Sequence, residues 1–60
     1  MSNAGQFAAI IMAARAQHDD ALAILALINA GYRVAAIMTD LDEAMRLAVE
    51  WSRPSERRAA

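Results

Sequence analysis

An all-α fold, drawn most simply as a helical hairpin, is what this sequence predicts. Three observations support it. Alanine, the strongest helix former, supplies 16 of the 60 residues. Only two Gly and one Pro punctuate the chain. Apolar residues recur at alternating intervals of four and three along both long unpunctuated stretches, the period of a helix face rather than of a strand. With 58% of residues hydrophobic and a formal net charge of −1, the composition is that of a packed chain and not of a disordered one.

The first element is expected over about residues 5–30. Residues 1–4 form a polar lead in which Ser2 or Asn3 can cap a helix. From there Phe7, Ile11, Ala14, His18, Ala21, Leu25 and Ile28 make a heptad seam, flanked by Ile10 and Leu22. Gly31 suits the position just past a helix end, where a left-handed backbone costs glycine nothing. The tight link from Asn29 to Tyr32 then joins antiparallel neighbours.

The second element is expected over about residues 33–52. Val34, Met38, Leu41, Met45, Ala48 and Ser52 keep the same spacing, with Ile37 and Ala44 beside them. Asp42, Glu43, Arg46 and Glu50 mark a solvated opposite face with ion pairs at helical spacing. Asp40 and Glu43 form a capping-box pattern, yet the apolar phase runs through them and favours one continuous helix. Pro54 ends it. Residues 1–52 therefore read as one helical domain, and residues 53–60 as a basic, disordered tail. The two arms would be about 39 Å and 30 Å long, at about 1.5 Å per residue.

Two rival arrangements fit the same residues. In one, Asp19 or Asp20 caps a new helix, giving three helices with a helix-turn-helix-like pair around Gly31. In the other, residues 8–14 and 32–38 are strands. The stretch from Ile10 to Ala48, with Ala30-Gly31-Tyr32-Arg33-Val34 and Glu43-Ala44-Met45-Arg46-Leu47-Ala48, resembles the first half of a response-regulator receiver domain. That resemblance implies a βαβα fragment. It does not extend to the functional residues, because Ala14 and Arg15 stand where the family carries an acidic pair.

Chemistry-bearing groups are sparse. The absence of cysteine excludes disulfides, thiolate metal sites and cysteine nucleophiles. His18, Asp19 and Asp20 are adjacent, but a helix would spread them over different faces. His18 buried in a seam would resist protonation and could report pH. Ser2, Thr39, Ser52 and Ser55 have no base at a recognisable spacing, and no glycine-rich phosphate loop is present. A non-enzyme without cofactor, metal or small-molecule substrate is expected.

The longest uncharged stretches, residues 1–14 and 21–32, are shorter than the ~17 residues a spanning helix needs. No basic residue precedes the first apolar run, as a secretory signal would require. A cytoplasmic protein is expected, and an Arg-only basic set beside abundant Ala suggests a bacterial, GC-rich source.

Partners are the remaining expectation. A lone hairpin cannot bury two wide apolar faces, so two copies should pair into a four-helix bundle. The expected interface is Phe7, Ile11, Leu25, Ile28, Val34, Met38, Leu41 and Met45. Leu47 and Trp51 lie off the seam as a second anchor, suited to a protein partner. Residues 1–52 carry three Arg against six acids, whereas residues 53–60 carry three Arg against one Glu. Arg53, Arg57 and Arg58 are thus the candidate phosphate contacts if the protein is instead a dimeric DNA- or RNA-binding regulator.

Overall fold

A computed structural model describes residues 3–53 and places them in three α-helices: α1 (Ala4–Ala13), α2 (Asp20–Asn29) and α3 (Val34–Ser52). The all-α expectation holds. Among the described residues there is no strand, so the βαβα arrangement is corrected: most of residues 8–14 belong to α1, and residues 34–38 open α3. Alanine, Ile and Met at helical spacing satisfy their backbone groups locally, whereas a two-stranded fragment would leave both edges unpaired.

The expected continuous helix over residues 5–30 is also corrected. It breaks across residues 14–19, and the arrangement is the three-helix one. Two local devices make the break. Arg15 takes a left-handed backbone at φ 56°, and the chain folds back so that Arg15 N–H donates to Met12 O (3.0 Å) and Ala16 N–H to Ile11 O (2.9 Å). These two bonds satisfy carbonyls that the end of α1 would otherwise leave open. Four residues on, Asp19 is extended, and its side chain accepts the Leu22 N–H at 3.2 Å, capping α2.

Gly31 performs the expected role at the other junction. It adopts φ 103°, with Gly31 N–H donating to Ile28 O (2.9 Å) and Tyr32 N–H to Leu27 O (3.2 Å). The same hydrogen-bond pattern therefore ends α1 on an arginine and α2 on a glycine. α3 runs unbroken through Asp40 and Glu43, as the apolar phase predicts. Asp40 does cap a helix, but a different one: its Oδ2 accepts the Asn3 backbone N–H (3.2 Å) at the start of α1.

α1 packs chiefly along α3, and α2 touches both. Among the described residues the core comprises five larger side chains, Phe7, Ile11, Leu27, Ile37 and Leu41, with Ala4, Ala8, Ala16, Ala23, Ala44 and Ala48. Small residues on all three helices let the backbones approach closely. Tyr32, on the α2–α3 link, closes one end. Its ring meets Phe7 edge-on at 4.7 Å, and its hydroxyl donates to Gln6 Oε1 at 3.4 Å.

Candidate interaction surface

The break at Arg15 changes which side of α2 faces inward. A continuous helix, turning about 100° per residue, would carry Leu22 and Leu25 inward in phase with Phe7 and Ile11. Instead α2 buries Ala23 and Leu27 completely. Leu22, Leu25 and Ile28 are left on the opposite face, 43%, 53% and 42% exposed. α2 is therefore apolar on both sides, with the core covering only one of them.

Two further large apolar side chains are exposed just beyond Gly31. Val34 and Met38, on the first turns of α3, are 54% and 56% exposed. No charged residue occurs from Ala21 to Tyr32; Asp19 and Asp20 bound the stretch at one end and Arg33 at the other, all exposed. An uncharged apolar row bounded by opposite charges is chemically equipped to cover another apolar surface and to discriminate its orientation.

The residues expected to form an oligomer interface divide into two groups. Phe7, Ile11 and Leu41 are buried within the chain's own core, and Met45 is half-buried against it. Leu25, Ile28, Val34 and Met38 remain accessible. Leu22 joins them, although its spacing marked it only as a flank of the seam. The signal that could have identified it is Asp19: a cap there resets the helical phase and turns Leu22 outward.

Leu47 packs against the core as a half-buried residue, and Trp51, one turn further along α3, is half exposed. Arg53 is exposed at the end of α3. Arg57, Arg58 and most of the expected tail lie outside the described residues. The outer face of α3 carries Asp42, Glu43, Arg46 and Glu50, all exposed.

His18 sits exposed in the turn before α2, so the burial on which a pH-reporting role depends is absent. Asp19 is engaged as a cap. Among the described residues, no three or more His, Asp or Glu side chains converge to hold a metal ion. The Thr39 and Ser52 hydroxyls donate to the Ala35 and Val49 carbonyls of their own helix. No described helix is long and apolar enough to cross a membrane. Compared with known proteins, the chain matches no protein family, no curated protein and no solved structure.

Proposed function

We propose that this chain is a non-enzymatic helical interaction protein that acts by covering the outer apolar face of α2, first with a second copy of itself. The observation that carries the reading is the exposure of Leu22, Leu25 and Ile28 on a helix whose other side is already buried.

The magnitudes favour an apolar occupant. Together with Val34 and Met38, the five exposures amount to about two and a half whole side chains. Fully burying one such side chain contributes about 1.5–3 kcal/mol, so the patch offers about 4–7 kcal/mol per chain. Association costs range from about 4 to about 15 kcal/mol in lost translation and rotation. One patch against a polar surface therefore meets only the low end, whereas two patches facing each other offer about twice as much. A core with five larger side chains among the described residues points the same way, because chains of this size commonly rely on oligomerisation for stability.

With three helices per chain, the pair would hold six helices in place of the four a hairpin dimer would give. Trp51 and Leu47 lie at the far end of α3 and would remain available to a protein partner of the dimer, with the half-exposed indole as its anchor.

Light scattering across a concentration series tests the reading. A mass near 13 kDa, twice the 6.5 kDa of one chain, is expected, falling to 6.5 kDa in a Leu25→Asp, Met38→Asp double variant that keeps its helicity. A mass of 6.5 kDa at every concentration, unchanged by the substitutions, would refute it.

A further inference from the structure

We infer that α2 pairs with the α2 of a second copy in antiparallel orientation, about a two-fold axis that passes beside Leu25. The inference rests on the proposed self-docking through the outer face of α2 and adds the direction and the residue on the axis.

The outer row of α2 is symmetric about its centre. Leu22 and Ile28 lie three residues to either side of Leu25 and share its exposed face. In an antiparallel pair centred on Leu25, Leu25 meets itself, and Leu22 of each copy meets Ile28 of the other. One residue further out, Ala21 falls opposite Asn29, so a small residue receives a larger one at each end. A two-fold contact requires such self-complementarity, because the same patch must serve both partners.

Charge selects the same direction. Asp19 and Asp20 stand at the N-terminal end of α2, and Arg33 lies just past its C-terminal end. Antiparallel pairing brings the acidic end of one copy toward the basic end of the other and opposes the two helix dipoles. Parallel pairing would set acid against acid and arginine against arginine. Ten residues form a short contact, and Val34 and Met38 lengthen it: they follow Ile28 across the Gly31 link, at the end where the second copy's Leu22 arrives.

The geometry allows a covalent test. Helices in contact lie about 8–10 Å apart, with Cα atoms about 2.3 Å from each axis. Facing Cα atoms on the two-fold axis therefore approach to about 3.4–5.4 Å, a span that overlaps the disulfide range. The chain has no cysteine of its own, so each introduced thiol reports one position.

Under mild oxidation at concentrations where the parent is a dimer, Leu25→Cys should form a linked dimer at least about tenfold faster than the exposed control Glu43→Cys. Leu22→Cys and Ile28→Cys should each link poorly alone and readily when mixed. Rapid linking of Leu22→Cys with itself would overturn the antiparallel direction. Linking of Leu25→Cys no faster than the control would overturn the α2 surface altogether. If the unmodified chain then still scatters as 13 kDa, the α2 pairing fails and only a dimer through another face stands; 6.5 kDa throughout refutes dimerisation as well.

Discussion

Replacing Arg15 with glycine should stabilise this protein, and the sign of the effect separates two structures of the same sequence. Arg15 holds φ 56°, a left-handed backbone that costs an L-residue about 1–2 kcal/mol relative to its favoured conformations. Glycine removes that strain but has more freedom to lose from the unfolded chain, about 0.4–1 kcal/mol. The net expectation is a gain of up to about 1.6 kcal/mol, centred on about 0.8 kcal/mol. The Arg15 side chain is exposed, so little packing is lost with it.

Were residues 5–30 one continuous helix, the same substitution would place glycine in a helix interior and cost about 0.8–1 kcal/mol. Urea unfolding followed by far-ultraviolet circular dichroism measures the difference. Parent and variant must be compared at equal protein concentration, because association raises apparent stability. A higher midpoint with an unchanged slope is the expected result. A lower midpoint with reduced helicity would refute the break at Arg15. Gly31→Ala supplies the mirror control: at φ 103°, with nothing within 4 Å of the added Cβ, it should cost about 1–2 kcal/mol through the backbone alone.

Leu27→Ala should cost about 2–5 kcal/mol, and Leu25→Ala less than about 1 kcal/mol in dilute monomer, as measured by denaturant titration; the reverse order would restore the seam through Leu25. Asp40→Ala should cost about 0.5–2 kcal/mol in thermal unfolding, with Asp40→Asn recovering part of it, because the side chain caps α1 from α3. Removing residues 53–60 should leave the chain a dimer, lighter only by the residues removed, with no retention of the parent on duplex DNA at low salt. Retention that falls steeply with salt and disappears with those residues would instead favour phosphate contact through Arg53, Arg57 and Arg58.

How much of this was legible in the sequence depends on how each helix ends. α3 was readable because Gly31 and Pro54 bracket it and because its apolar and charged residues occupy distinct faces. The division between α1 and α2 was obscured. Alanine, Arg and Gln at 14–17 all favour helix, and the left-handed residue that closes α1 is an arginine, not the glycine that usually marks such a site. Alanine also satisfies either phase. With Ala14 and Ala21 counted as apolar, the spacing from Phe7 to Ile28 looks unbroken, although both are exposed. Asp19 was the one clear signal of a new start, and it also separates buried Leu27 from exposed Leu25. The candidate surface was therefore half legible: Leu25, Ile28, Val34 and Met38 were expected at an interface, but so were Phe7, Ile11 and Leu41, which the chain uses for its own core.

The bond from Asp40 to Asn3 bears on how the chain acquires its structure. It joins residues 37 positions apart, and the Asn3 side chain makes no cap of its own. α1 has ten residues, fewer than an isolated helix needs to persist in water. Its first turn thus waits on a carboxylate in the second turn of α3. Order at the start of the chain should appear together with order in α3, and amide protons in the two helices should exchange with solvent as one cooperative unit.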